Sequence, residues 1–591
     1  MIPPPLAETL VNARAVARSL AETALGDEER IQIARSFCHT IVSAWWRFLT
    51  APKHDPALRP LLEAVPFKDL PQSAVAVAES IGAAAAASEP ETAAYNIGLL
   101  YTGMLPQAYR AAFGVYYTPP PLAARLIDQA TIAGVDWTCC KVLDPACGGG
   151  TFLAPVAKRM IAAMSEAKPD TIVGNVAARL HGYEVDPFAA WLSQVTLDAV
   201  MLPLCRKAGR QPPEVVTVRD SLRRCASSER YDLIIGNPPY GRVKLTPEDR
   251  ARYRRSLYGH ANLYGLFTDL ALRHARPGGV IAYVTPTSFL AGEYFKNLRA
   301  LLGREAPPVT VDFVAARKGV FEDVLQETLL ATYRRGIPPK PAQAHEVMLA
   351  SGKGLQAVET GRFFLPDDPS QPWLLPRTPE HAALIERLRA MPHRLADWGY
   401  TVSTGPLVWN RHKKQLRSSP GQGRFPLIWA ESVMVDGRFV FRAEKKNHEP
   451  YFEPLAGDEW LITRTPCVLL QRTTAKEQNR RLIAAVLPES FLVRHRAVVI
   501  ENHLNMLRPI VERPKVSPAV LAAFLNSAAA DRAFRCVSGS VAVSAYELES
   551  LPLPDPTALD GLAELVRRCA SRASLEAECE RLYAFDAAEA A

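Results

Sequence analysis

At Tyr231–Gly241 the chain reads YDLIIGNPPYG, and its character changes within one residue. Tyr231 to Ile235 form the short apolar run of a buried strand. Gly-Asn-Pro-Pro-Tyr follows at once. Pro238 and Pro239 each remove a backbone donor and fix a φ angle, which stiffens the exit from the strand. Asn237 brings an amide with one oxygen acceptor and two N–H donors. Tyr240 adds a ring. An amide, two rigid prolines and an aromatic side chain are thus held together at the tip of a strand.

A second cluster lies upstream. VLDPACGGGTFLAPVAKRM (Val142 to Met160) reads as strand, glycine turn and helix. Gly148, Gly149 and Gly150 let backbone approach a ligand closely at a strand's carboxyl end. The pattern is not the Gly-x-Gly-x-x-Gly fingerprint, and no Gly-Lys-Ser/Thr follows to make a phosphate loop. Asp144 precedes the glycines and suits an ammonium group; Ala146 lies in the same turn. LHGYEVD ends a second strand at Glu184, followed by Val185, and an acid there is placed for ribose hydroxyls. VVTVRDSL ends a third strand at Asp220, an acceptor for an adenine amino group, followed by Ser221. Three acids ending three successive strands, beside a glycine turn without a phosphate site, describe a nucleoside with a cationic amino-acid tail. The expected cofactor is S-adenosyl-L-methionine. No metal site is expected.

These clusters need strands that end at one edge. Residues 114–335 alternate short apolar strands with helical segments: KVLDPAC, LHGYEVD, YDLIIGN, GGVIAYVTP, VTVDFV and TLLATYRR. That alternation predicts an α/β fold with a doubly wound, mostly parallel, Rossmann-like sheet. Residues 1–110 are rich in Ala, Leu and Glu and predict a helical region. Residues 111–336 are the expected catalytic domain. Residues 337–392, dense in proline, predict a linker or irregular connection. Residues 393–591 predict an α+β domain ending in an amphipathic helix.

The ordered motifs resemble those of the gamma-class adenine-N6 DNA methyltransferases. GVYYTPPPLAARLID comes first, then DPACGGGTF, YEVD, RDSL, GNPPY, NLYGLF and GVFEDV. The resemblance covers residues 114–335 strongly and the C-terminal half weakly. It implies a type II restriction–modification methylase that flips an adenine out of duplex DNA and methylates its N6. Asn237 Oδ1 and the Pro238 carbonyl would accept the two N6–H groups, and Tyr240 would stack on the base. An extruded base costs a few kcal/mol, of which stacking recovers roughly 1–3 kcal/mol. Phe321 would cover the other face of the base. Thr118 would sit by the cofactor's carboxylate, and Phe267 near the cofactor and the catalytic tip. The usual aromatic after the adenine acid is missing, since Ser221 and Leu222 follow Asp220. Asn-Pro-Pro-Tyr also occurs in enzymes that methylate RNA or protein glutamine. Those substrates, and a partner-dependent recognition subunit, are the competing readings.

Composition bears on the partner. The chain has 591 residues, 48% hydrophobic and 22% charged, with net charge +8. Several domains of ordinary globular composition are expected. Residues 1–110 hold 9 Lys/Arg against 11 Asp/Glu, whereas residues 401–550 hold 21 against 14. With WNRHKKQLR, FRAEKKNH, LLQRTTAKEQNRR and FLVRHRAVVI, the C-terminal half reads as a target recognition domain for double-stranded DNA. Asp436 with Glu444–Lys446 only loosely matches a nuclease motif, so a separate restriction endonuclease is the expected partner. No membrane-length apolar run or leader is evident. The ten cysteines form no Cys-x-x-Cys pair, as in a reduced setting. A bacterial, cytoplasmic, nucleoid-associated location is expected.

Overall fold

The computed structural model describes residues 6–50, 56–113, 117–223, 229–315, 327–350, 354–473, 480–537 and 542–583. The chain forms two compact units, residues 1–286 with 301–358, and residues 287–300 with 359–591.

The first unit opens with helices α1 (Leu6–Glu22), α2 (Asp27–Thr50), α3 (Gln72–Ala85), α4 (Pro90–Met104), α5 (Gln107–Phe113) and α6 (Pro120–Ile132). Asp27, Glu28 and Glu29 start α2 and Arg47 lies in its last turn, an arrangement that suits the helix dipole. Next come β1 (Val142–Asp144), α7 (Leu153–Ala163), α8 (Pro169–Arg179), β2 (Leu180–Glu184), α9 (Pro187–Ala208), β3 (Val216–Val218) and β4 (Tyr231–Gly236). The small antiparallel pair β5 (Arg242–Val243) and β6 (Ala261–Asn262) encloses α10 (Pro247–Arg252). The unit continues with α11 (Leu263–His274) and β7 (Ala275–Pro286), and after residue 300 with β8 (Pro308–Val314), β9 (Thr328–Arg334), β10 (Ala342–Ala350) and the first half of β11 (Gly354–Phe363), whose residues from Glu359 on are counted with the second unit.

These strands make one sheet in the order β11-β10-β8-β9-β7-β4-β1-β2-β3. β1 pairs in parallel with both β2 and β4, and β4 with β7, while β9 runs antiparallel between β7 and β8. The chain winds outward from β1 through β2 to β3, then returns to β4 on the other side. The crevice at the carboxyl ends of β1 and β4 is therefore the topological switch point, where doubly wound folds bind ligands.

α9 explains how the helical region joins this sheet. Asp186 caps it through the Phe188 N–H at 3.0 Å, Pro187 takes its first turn, and Gly209 closes it in the left-handed region. Phe188, Trp191, Leu192 and Val195 pack into the core of α1–α4, while Ala190, Leu197, Met201 and Cys205 pack into the sheet's core. A helix buried on all sides has to be apolar on all sides. Among the described residues it is the helix long and apolar enough to cross a membrane, and 89% of that stretch is buried inside the protein.

Residues 337–392 differ from the expected linker. β10 pairs in parallel with β8, Val347 lies opposite Val314, and both are in the sheet's core. Pro338, Pro339 and Pro341 all precede the first paired residue, so they bracket a strand instead of breaking one.

The second unit is α+β, as expected. Strands Tyr400–Thr404, Leu504–Pro509, Val468–Gln471 and Ala484–Val486 form an antiparallel sheet in that order. A five-stranded sheet of short strands runs from Leu416–Arg417 to Ile462–Thr463. Helices Pro518–Leu525, Ala528–Val537, Asp560–Arg567 and Arg572–Tyr583 share a core with the first sheet around Trp398, Phe524 and Tyr583. The terminal amphipathic stretch is thus two helices, parted near Cys569, whose φ of +50° no helix continues.

Candidate cofactor and catalytic site

A cavity of about 410 Å³ opens at the switch point. Residues from eight places in the first unit line it: Thr118 with Tyr117, the turn after β1, the end of β2, the start of α9, the segment after β3, the exit of β4, the β5–α10 segment and α11. Thr118, Ala146, Gly148, Glu184, Val185, Asp220, Ser221, Asn237, Pro239 and Phe267, all expected at the site, share this lining. Asp144, Gly150, Pro238 and Tyr240 do not line it. Phe321 lies outside the described residues.

The glycine turn is shaped by close approach. Gly148 and Gly150 take φ values of +52° and +89°. A β-carbon at Gly149 would lie 2.3 Å from the Tyr117 ring, and one at Gly98 on α4 would lie 2.4 Å from the same ring. Tyr117 is therefore clamped flat between α4 and the glycine turn. It is 6% exposed, its hydroxyl has no partner among the described residues, and it lines the cavity.

Asp144 is fully buried under the turn. Its Oδ1 accepts the Ala146 N–H at 3.1 Å, and its Oδ2 is buried without a partner among the described residues. Burial raises its pKa well above the usual carboxylate range. Glu184 accepts three backbone N–H groups, from Gly148 at 2.9 Å, Val185 at 2.8 Å and Asp186 at 3.0 Å. Burial outweighs these bonds and pushes its pKa up to about 7. Asp220 accepts the Leu222 N–H at 2.9 Å and pairs with the exposed Arg223 at 3.2 Å. The Ser221 hydroxyl is spent on the Pro145 carbonyl at 2.6 Å, tying the loop after β3 to the loop after β1.

At the exit of β4 the Asn237 amide is held at both ends. Its Nδ2 donates to Thr118 Oγ1 at 3.1 Å, and its Oδ1 accepts the Tyr240 hydroxyl at 2.7 Å. Tyr240 was expected to offer its ring to a base. Here its hydroxyl turns onto Asn237, and its ring meets Tyr264 edge-on at 6.1 Å. An amide oxygen has two lone pairs, so Oδ1 keeps one for a further donor.

Several lining residues escaped the sequence reading. Tyr117 adjoins the quoted Thr118, so adjacency was its only signal. Lys244, Thr246, Asp249 and Tyr253 come from β5, α10 and their flanks, directly after the Asn-Pro-Pro-Tyr turn. Tyr253 is the most informative. Its hydroxyl reaches the Leu222 carbonyl at 3.4 Å, so an aromatic ring stands near Asp220 although none follows it in sequence. Asp186, read only as part of YEVD, accepts the Tyr101 hydroxyl at 2.9 Å and lies 3.7 Å from Arg35. Helices α2 and α4 thus grip the loop that carries Glu184.

Residues 207–321 match the Eco57I restriction-modification methylase family. The type II methyltransferase M.BsuBI of Bacillus subtilis is 28% identical over 349 residues, covering 57% of this chain and 68% of that protein. M.PstI of Providencia stuartii is 27% identical over 351 residues, with the same coverages. Among solved structures, the type IIL restriction-modification enzyme MmeI in complex with DNA superposes with a TM-score of 0.57 at 12% identity, over 98% of this chain and 92% of that one.

Proposed function

We propose, for a chain that carries an Eco57I restriction-modification methylase domain, that it is a DNA methyltransferase of a restriction–modification system acting on the N6 amino group of adenine. The observation that carries this reading is the Asn237 amide, oriented at both ends, on the same cavity as the glycine turn and the Glu184 and Asp220 carboxylates. The donor set fits S-adenosylmethionine. Glu184 and Asp220 offer acceptors for a ribose and an adenine. The turn itself holds no lysine or arginine for a pyrophosphate, and the Asp144 carboxylate beneath it is without a partner on one oxygen. When bound, this cofactor supplies a methyl group made electrophilic by the sulfonium.

The chain's own residues prepare the acceptor nitrogen. An exocyclic adenine amine is a poor nucleophile because its lone pair is conjugated into the ring. Asn237 Oδ1, through its free lone pair, and the Pro238 carbonyl each accept one N6–H. Two acceptors draw the nitrogen toward tetrahedral geometry and expose its lone pair, an electrostatic and orientational contribution prepaid by folding. Thr118 and Tyr240 keep the amide from flipping, which would present N–H groups to N–H groups. The Thr118 hydroxyl, which accepts from Asn237, still has a hydrogen to donate toward the cofactor's carboxylate. Base flipping brings the adenine to this point at a cost of a few kcal/mol. A separate endonuclease is the partner this role calls for.

The deciding experiment is methyl transfer from labelled cofactor to unmethylated duplex DNA, wild type beside Asn237→Ala, with digestion to nucleosides. N6-methyladenine from the wild type alone is the expected result. Cofactor binding without transfer to duplex DNA, or label on RNA or on protein glutamine instead, would overturn it.

A further inference from the structure

A cavity of about 460 Å³ lies in the second unit and shares no lining residue with the candidate cofactor site. Its floor is the strand pair Tyr400–Thr404 and Leu504–Pro509, where Thr401 lies opposite Arg508 and Ser403 opposite Met506. Trp460, Thr463, Arg464 and Thr465 form another side. Trp460 is 65% exposed, and no ring or cation partners it among the described residues. Arg464 and Arg508 are exposed. Neither has a carboxylate partner among the described residues. Other arginines of this unit are neutralised: Arg417 and Arg424 share Glu453 at 2.7 and 3.1 Å, and Arg438 pairs with Asp436 at 2.7 Å. Among the described residues no carboxylate lines the cavity, and the Ser403 hydroxyl oxygen is buried without a partner.

Aromatic and arginine side chains are the enriched residues of recognition surfaces, and here an exposed indole stands beside two guanidinium groups without carboxylate partners among the described residues. The chemistry selects an anion attached to a flat ring. We propose that this cavity takes one nucleotide of a nucleic-acid strand, with the phosphodiester on Arg464 and Arg508 and the base against Trp460. The inference rests on the reading of DNA as substrate and adds a contact site in the second unit. Backbone charge and base stacking, each sequence-tolerant, make it a positioning contact.

The test is binding of the full chain, as salt is raised, to a mixed-sequence duplex oligonucleotide with a single-stranded overhang, whose unpaired bases are free to stack. Trp460→Ala, Trp460→Phe and the double variant Arg464→Gln/Arg508→Gln are compared with wild type. All three positions are exposed, and melting curves check the fold. Loss of the contact to this one phosphodiester should lower the slope of log affinity against log salt by about 1. Trp460→Ala should weaken binding roughly ten-fold or more, and Trp460→Phe should restore most of it. Cofactor binding should be unchanged throughout. A wild type that binds duplex, with all variants matching its affinity and slope, overturns this inference and leaves the DNA reading standing. A wild type that binds no duplex at any salt overturns both. Binding of a polyglutamate peptide that depends on the same arginines, without duplex binding, would assign the cavity to an acidic protein partner instead.

Discussion

In the proposed reaction Asn237 is the side chain on which the chemistry turns, and its two neighbours act through it. Asn237→Ala should cut turnover by at least about a hundred-fold, as loss of a preorganised polar group does elsewhere, while cofactor affinity stays within a few-fold. Tyr240 separates two ideas. If its ring alone matters, Tyr240→Phe behaves as wild type. The 2.7 Å hydroxyl bond to Asn237 predicts instead a fall in kcat of roughly three- to ten-fold, the worth of one ordinary hydrogen bond, with KM little changed. Glu184 gives the pH dependence. Its pKa of about 7 in the folded protein lies above the ordinary 4.5, so the folded state holds the extra proton between those values. By itself the group therefore makes stability fall as pH rises through that window. Ribose hydroxyls donate to the charged form, so binding should release a proton and weaken as pH falls below about 7. Titration calorimetry in buffers of different ionisation enthalpy reads this directly, and Glu184→Gln should abolish the dependence.

Among the elements, the N-terminal helices have a role that composition concealed. They reach the candidate cofactor site twice, through Gly98 against Tyr117 and through Arg35 and Tyr101 around Asp186. Gly98→Val would force Tyr117 into the glycine turn. It should lower the melting temperature and weaken cofactor binding together, by ten-fold or more, because overpacking of a clamped ring costs about 1–3 kcal/mol. Unchanged cofactor affinity in a folded Gly98→Val protein would show that Tyr117 is mere filling. β10 and β11 teach the opposite lesson. Their prolines were conspicuous and their pairing invisible, since a strand's partner is set by contacts far along the chain.

For the whole molecule, the two units have separate cores, one around the sheet and helices, the other around Trp398, Phe524 and Tyr583. The cofactor cavity is lined from the first unit alone. Scanning calorimetry with cofactor at a hundred times its Kd should therefore raise one transition, by an amount equivalent to about 2.7 kcal/mol, and leave the other in place. A uniform shift of both would mean the units unfold as one. The charge excess of the C-terminal half is less available than it looked. Arg417, Arg424, Arg438 and Arg442 sit in ion pairs with neighbouring acids, so the count of basic residues overstated the cations a polyanion would meet.

What the sequence determined by itself was everything encoded locally. A strand that ends in Asn-Pro-Pro-Tyr, a glycine turn after an acid, and carboxylates closing two further strands are each short-range patterns. Their chemistry follows from residue type and backbone constraint, and ten of the expected residues do line one cavity. Only the tertiary structure decided how far each side chain's hydrogen bonds were already committed. Ser221 is bound to Pro145, Tyr240 is turned onto Asn237, and the Tyr253 hydroxyl reaches the Leu222 carbonyl. It also made the N-terminal helices part of the cofactor site, because α9 is buried between them and the sheet. The reason is the range of the forces. Propensity and turn geometry act over a few residues, whereas a buried polar atom must find its partner wherever packing brings one, often a hundred residues away.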